Sequence, residues 1–284
     1  MYKFRELQKA ARKEIAGKEI RVAVLGNCAT QFFSEAIQGY GKISGLNLNV
    51  YDTDYNQIDA QLVDENSEVY AFHPDHILIW LATDKIYEEF LEMDMSSRSR
   101  FAELYMQKLE HYWSLIAAKS KAHVIQMNFT EINDKVLGNY SCKVESTFCY
   151  QIRKLNFLLQ EAMSKNGNIY PVDLLSLQIQ LGTKELYYAP LYYNAKMCID
   201  MKALPYVAKA VTDVLLAMSG KIKKCIVCDL DNTLWGGVIG DDGLGGIEIG
   251  ELGRGHAFTN LQLWLKQLKE CGIILAVCSK NNED

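Results

Sequence analysis

The chain has 284 residues, 49% of them hydrophobic and 23% charged, and a formal net charge of −5. That length suits about two domains, and no stretch approaches the roughly 18 uninterrupted apolar residues of a membrane-spanning helix. Acidic and basic residues nearly balance on both sides of Gly220, which argues against a protein that tracks a nucleic-acid backbone.

The first twenty residues carry Lys, Arg or Glu every few positions, so they lack the apolar segment of a secretory signal and a cytoplasmic location is expected. In that setting the eight cysteines read as reduced thiols rather than a disulfide framework. Apolar positions at helical spacing predict a leading helix over residues 3 to 16, stopped by Gly17. Strands are predicted over 21–25, 46–51, 76–82, 122–127 and 168–172, with helices over 84–92, 100–119 and 150–165 between them. This alternation implies a parallel α/β sheet covered on both faces. A helix over 200–219 ends at Gly220, and the basic run Lys221 to Lys224 leads into a new apolar strand. Two domains are therefore expected, residues 1–220 and 221–284.

The first predicted strand ends in Val24-Leu25-Gly26-Asn27-Cys28-Ala29-Thr30, and the last strand of the same domain runs into Tyr170-Pro171-Val172-Asp173-Leu174-Leu175-Ser176. These stretches resemble the Gly-Asp-Ser and Asp-x-x-His blocks of SGNH (GDSL-type) hydrolases, a flavodoxin-like α/β fold. Cys28 then falls at the nucleophile, Asp173 at the acid, and Asn128 at an oxyanion-hole asparagine, but Ser176 stands where the base histidine belongs. A thiol or hydroxyl nucleophile needs an adjacent base or a strongly lowered pKa, and His73, His76, His111 and His123 read as ordinary surface or core residues. The expectation is a retained fold without ordinary esterase activity, whose old pocket binds a ligand such as a carrier protein's arm or an acyl group, or which simply buttresses the second domain; a Cys28-dependent thioesterase is the competing reading. Tyr187, Tyr188, Tyr192 and Tyr193 cluster around Pro190, which reads as a packed domain surface or an interface.

Residues 225–235 are Cys-Ile-Val-Cys-Asp-Leu-Asp-Asn-Thr-Leu-Trp, an apolar strand that stops at two acids one residue apart. In extended chain, positions i and i+2 share a side and lie roughly 6 to 7 Å apart, a gap suited to a cation and a phosphoryl group at the carboxyl end of a parallel strand. The plain alternative is a turn, since Asp, Asn and Thr all form turns. An amphipathic helix over 257–270 and a strand over 272–278 ending in Ser279-Lys280 follow, a strand-helix-strand unit that brings both strand ends to one edge. The CxxC pair Cys225 and Cys228 points to opposite faces if both lie on one strand, which is wrong for a shared metal or disulfide.

Together, the DxDxT of residues 229–233 and the strand-ending Ser279 resemble motifs one and two of the haloacid dehalogenase superfamily. Residues 229–250 with 277–284 are similar to its FkbH-like members, subclass IIIC phosphatases. The resemblance implies a Rossmann-like core, incomplete in this chain, in which Asp229 attacks phosphorus and Asp231 serves as acid and base. It further implies that Mg2+ is held by Asp229 and the Asp231 main-chain carbonyl, and that Ser279 and Lys280 bind phosphate. The substrate class would be a small phosphorylated metabolite, with glyceryl or acyl loading of a carrier protein among the family's reactions; a non-catalytic binding module is the alternative. Family members need a later lysine and a later acidic motif, so the sequence is expected to be part of a longer chain or inactive by itself. The glycine-rich segment 236–250 is expected to form a hairpin flap, with Asp241 and Asp242 as turn residues.

Overall fold

A computed structural model describes residues 1–132, 134 and 136–281. The chain divides into two compact units, Met1–Met218 and Ser219–Asp284. The first opens with α1 (Phe4–Ala11), β1 (Glu19–Gly26), α2 (Gln31–Ile43), β2 (Asn47–Asp52), α3 (Ile58–Val63), α4 (Glu68–Ala71) and β3 (His76–Trp80). It continues through α5 (Thr83–Glu92), α6 (Phe101–Lys119), β4 (His123–Met127), α7 (Phe148–Ser164) and β5 (Ile169–Val172), and closes with α8 (Leu174–Leu181), α9 (Thr183–Leu186), α10 (Ala189–Ala195) and α11 (Leu204–Met218).

The five strands are parallel in the order β2-β1-β3-β4-β5, the flavodoxin-type winding. Side-chain parity sorts them into two cores. Val22, Val24, Leu78, Trp80, Ile125, Met127 and Val172 face one layer with α2 and α11 residues. Ala23, Leu25, Ile77, Ile79, Val124 and Ile169 face the other with residues of α6 and α7. Burial on both faces explains why these strands read as continuous apolar runs rather than alternating ones.

Helix α1 is shorter than its periodicity predicts. Its buried face is Leu7, Ala10 and Ala11, and the Ala11 carbonyl accepts from Gln38 Nε2 (3.0 Å) and Lys42 Nζ (2.7 Å) of α2. The contact with α2 supplies the cap, so the helix stops there instead of at Gly17. The two helices approach so closely at Gly39 that an added Cβ would lie 2.1 Å from the Leu7 carbonyl oxygen.

The second unit pairs β6 (Cys225–Cys228) with β7 (Ile274–Val277), with α12 (Ile239–Gly246) and α13 (Gly253–Glu270) between them. The pair is parallel, from Cys225↔Ile274 to Cys228↔Val277. Val227, Ile274 and Val277 are 63%, 63% and 60% exposed, whereas parallel strands are usually covered on both faces. Among the described residues, Leu265 is the one buried hydrophobic side chain of this unit.

The glycine-rich segment departs from a plain hairpin. Gly236 and Glu248 exchange backbone hydrogen bonds of 3.0 and 2.8 Å, which close an antiparallel neck. Between them lies α12, kinked at Gly243 with φ 64°. The Asp242 carboxylate accepts from Val238 N at 2.8 Å, satisfying a first-turn donor and favouring a helical turn over strand arms. Asp242 is thus a local structural acid.

Two stability measurements follow. Gly39→Ala gains up to about 1 kcal/mol of helix propensity but forces a methyl into a main-chain oxygen, and overpacking costs about 1–3 kcal/mol. The steric effect wins, so chemical denaturation should show net destabilisation; an equal or higher midpoint would mean α1 lifts away freely. His76 is 8% exposed and its buried Nδ1 has no hydrogen-bond partner. Burial, then the nearby His123, lowers its pKa to about 4 against the partial opposing effect of Asp75. The unfolded chain takes this proton near 6.5 and the folded chain refuses it until about 4, so His76 removes stability as pH falls through that window, by at most roughly 3 kcal/mol. Unfolding curves at several pH values should show a shallower loss for His76→Phe than for the parent; parallel curves would exclude His76 as the source.

Candidate functional site

Asp229 follows the last residue of β6, and its Oδ1 accepts from Leu230 N at 2.8 Å. The next three residues turn sharply. Asn232 adopts a left-handed conformation, φ 55°, Thr233 N donates to Leu230 O (3.2 Å) and Leu234 N to the same oxygen (2.8 Å). Asn232 Oδ1 accepts from Gly237 N at 3.1 Å, and Gln262 Nε2 of α13 donates to Leu234 O at 2.6 Å. The Asp-Asn-Thr stretch therefore does form a turn, and that turn holds both acids at the strand end.

Asp231 has a denser environment. Its Oδ1 accepts from Trp235 Nε1 (3.0 Å) and Ile239 N (3.1 Å). The Ile239 N–H, with side chains of Asn281 and Trp235, holds the Asp231 carboxyl below its ordinary pKa against a smaller opposing effect of burial. In the free protein it is a carboxylate at neutral pH. Sequence reading missed Trp235 and Ile239 as partners, because only the turn brings them to Asp231.

Across the strand pair, Cys278 N donates to Cys228 O at 2.9 Å, so Asp229 and Ser279 leave the same edge of adjacent strands. Ser279 is half-buried and Lys280 exposed; Ser279 Oγ accepts from Asn281 N at 3.4 Å. Residues 282–284 of the motif lie outside the described residues. Along β6, Cys225 is exposed and Cys228 half-buried, consistent with opposite faces. No group of three or more His, Cys, Asp or Glu side chains suited to a metal occurs among the described residues. The donors that are present, two carboxylates and main-chain carbonyls, are all hard oxygens. Such a set fits Mg2+, which keeps several water ligands and needs only one or two carboxylates.

The first unit gathers its strand-end residues differently. Cys28 lies just past β1 and is 1% exposed. Its thiol is hydrogen-bonded with that of Cys198, which, with burial, pushes the Cys198 pKa far up. Asn27 Oδ1 accepts from Ala82 N at 2.7 Å, and Ala29 N donates to Lys196 O at 2.9 Å. These bonds lock the Cys28 loop to its neighbours. His76 and His123 begin β3 and β4, at the opposite end of the parallel strands from Cys28.

Asp173, Ser176 and Asn128 form a cap. Ser176 N and Oγ donate to the Asp173 carboxylate (2.9 and 2.6 Å), and Asn128 Nδ2 donates to it at 2.7 Å. Asn128 Oδ1 accepts from Leu175 N at 3.0 Å. Burial would raise the Asp173 pKa, but donation from Ser176, Asn128 and Leu175 outweighs it and leaves the group lowered. Asn128 follows β4 and Cys28 follows β1, with β3 between, so the strand spacing of ~4.8 Å separates them by roughly 10 Å.

A cavity of about 720 Å³ in this unit is lined by Asp84, Tyr187, Cys198, Thr83, Thr130 and Gln178 among others. Burial raises the pKa of Asp84, which is hydrogen-bonded to Tyr187. Tyr192 is buried and donates to Glu88 at 2.6 Å, whereas Tyr188 and Tyr193 are exposed. The tyrosine cluster thus divides between cavity wall, core and surface. The available sequence signal for Asp84 was a polar pair, Thr83-Asp84, shortly after the wholly buried strand β3.

No curated protein matches the chain. Among solved structures, the N-terminal part of protein BF1531 from Bacteroides fragilis, described as containing a phosphatase domain complexed with Mg, matches at 36% identity with a TM-score of 0.93. That match covers 100% of this chain and 75% of that one. A lipase/acylhydrolase from Enterococcus faecalis matches more loosely, at 12% identity and a TM-score of 0.46 over 72% of this chain and 97% of that one. The described residues contain no helix long and apolar enough to cross a membrane. Residues 21–216 match the family model for the FkbH N-terminal domain, and with this match over more than half of its length the chain belongs to the FkbH family.

Proposed function

We propose that the second unit is the opening part of a haloacid-dehalogenase-type core, and that the protein is a magnesium-dependent phosphatase or phosphotransferase acting through an aspartyl-phosphate on a small phosphorylated metabolite. The supporting observation is the strand register: with Cys228 opposite Val277, Asp229 falls level with Cys278, one residue before Ser279, so a carboxylate and a hydroxyl leave the same strand edge one position apart. The Mg2+ named with the Bacteroides fragilis relative supports the cation.

The Asp229 carboxylate and the Asp231 main-chain carbonyl would hold Mg2+, which would offset charge on the phosphoryl oxygens as a Lewis acid. Asp229 then attacks phosphorus through a carboxylate oxygen while the bond from phosphorus to the leaving oxygen breaks. Ser279 Oγ–H and Lys280 bind the non-bridging oxygens. Asp231 begins as a carboxylate, so the proton it passes to the leaving oxygen is one it first takes up, for example from a monoester monoanion. In the second step the same carboxylate removes a proton from water as that water attacks phosphorus, and the bond from phosphorus to the Asp229 oxygen breaks, releasing phosphate and the free Asp229 carboxylate. Its two hydrogen-bond donors, Trp235 Nε1 and Ile239 N, suit this base role, since they keep it ionised between turnovers.

The cavity in the first unit favours a companion role for that unit. A volume of about 720 Å³ is within the usual range for small-molecule sites, and its carboxyl and phenol offer hydrogen bonds within a largely apolar wall. This unit binds a ligand, or the arm of a carrier protein bearing an acyl group, rather than hydrolysing esters.

Two experiments separate these roles. With the intact protein, Mg2+ and acetyl phosphate as donor, Asp229→Asn should abolish the hydroxylamine-sensitive phosphoenzyme. Asp231→Asn should let it form, because acetate leaves without acid help, but slow its hydrolysis by roughly 10²-fold or more. Undiminished labelling of Asp229→Asn would remove Asp229 as nucleophile. For the first unit, turnover of p-nitrophenyl acetate should be near background and unchanged in Cys28→Ala; efficient, Cys28-dependent turnover would restore the hydrolase reading.

A further inference from the structure

Two of the eight cysteines are paired in space without any role in the sites above. Cys142 lies in a 3-10 turn (Gly138–Lys143) and Cys149 is the second residue of α7. Their sulfurs are 3.8 Å apart. Cys142 is exposed and Cys149 half-buried, so small oxidants reach the pair from solvent.

The approach is held by the surrounding backbone. Thr147 Oγ1 donates to Ser141 O (2.7 Å) and accepts from Tyr150 N (3.4 Å), linking the residues next to each cysteine. Buried Gln151 donates through Nε2 to Glu145 O at 2.7 Å, which fixes the segment between them. Arg153 completes the arrangement. Glu131 holds its guanidinium through Nε and Nη2, both at 2.7 Å, and the remaining Nη1 lies 3.1 Å from Cys142 Sγ. A guanidinium held against one sulfur makes the two cysteines unlike and offers a charged donor to an oxidant that approaches Cys142. Burial and the hydrogen bond with Cys142 raise the Cys149 pKa, so Cys149 keeps its proton. The asymmetry assigns attack to Cys142 and resolution to Cys149.

We propose that Cys142 and Cys149 form a hydroperoxide-sensitive dithiol, oxidised reversibly to an intramolecular disulfide. The Cys142 thiolate attacks the distal oxygen of the hydroperoxide, the O–O bond breaks, and the alcohol or water leaves after protonation. Cys142 is now a sulfenic acid. The Cys149 sulfur attacks that sulfur, the S–O bond breaks, and the hydroxyl leaves as water with the proton of Cys149. Two thiols supply the two electrons that reduce the peroxide. The sulfurs need to close by less than about 2 Å to reach the disulfide distance of ~2.05 Å, within reach of side-chain rotation.

The test is stoichiometric hydrogen peroxide added to the reduced intact protein, followed by alkylation and digestion without reductant. The expected product is one peptide pair joined between Cys142 and Cys149, with two thiols lost and recovered on reduction. Cys149→Ser should accumulate a sulfenic acid at position 142 that dimedone traps, and Arg153→Gln should slow its formation by roughly 10-fold, the scale of one lost charge-assisted contact. Absence of the joined peptide in the parent protein, or oxidation of other cysteines ahead of this pair, overturns the proposal. Unchanged oxidation kinetics in Arg153→Gln overturn the assigned role of the guanidinium.

Discussion

Parallel pairing is the constraint on which the chemistry depends. In a parallel ladder every strand ends at the same edge, so a residue just past one strand meets the residue just past its neighbour without further design. The first unit applies this to five strands and the second to two. In the second unit it brings Asp229 beside Ser279, fifty positions later in the chain. In the first it brings Asn27 to Ala82 and Asn128 to Asp173. Connections between parallel strands must cross over, and the helices that do so cover both faces of the larger sheet.

The same edge does different things in the two units. In the first, strand-end polar groups satisfy one another: Asp173 is enclosed by Ser176 and Asn128, and Cys28 is buried against Cys198. A nucleophile needs access and a base; Cys28 is 1% exposed, and His76 and His123 lie at the opposite end of the strands, while a cavity opens next to Asp84 and Tyr187. In the second unit the strand-end acids remain half-buried or exposed and their loop is braced from outside, by Gln262 of α13 and by the neck between Gly236 and Glu248. A rigid turn carrying open carboxylates suits a site that must admit an anionic substrate.

Asp231 shows how two identical side chains acquire different chemistry. Asp229 is held by its neighbour's N–H, whereas Asp231 receives a main-chain N–H from Ile239 and a side-chain donor from Trp235. These donors favour the ionised form, which in the proposed mechanism suits a base role and leaves acid catalysis to a proton that arrives with substrate. Arg153, held by Glu131 against Cys142, likewise makes two like groups unequal through one fixed donor.

Local features were legible in the chain itself. The strands and principal helices could be read because apolar runs and helical periodicity record burial directly, and the Asp-Leu-Asp motif was visible because its spacing follows from strand geometry. Boundaries set by partners were not: α1 ends where α2 caps the Ala11 carbonyl, and Asp242 turns an expected hairpin into a kinked helix. Asn128 and Ser176 could be matched to hydrolase positions by sequence, but their hydrogen bonds to Asp173 form only when β4 and β5 lie side by side. Likewise Asp84 with Tyr187, Cys28 with Cys198, and Cys142 with Arg153 are separated in the chain and joined by packing. The sequence by itself determined the alternation of elements and the residue types at the strand ends, because these depend on near neighbours. Only the tertiary structure decided which of those residues face one another, because hydrogen bonding, burial and pKa depend on groups that the fold brings together from far along the chain.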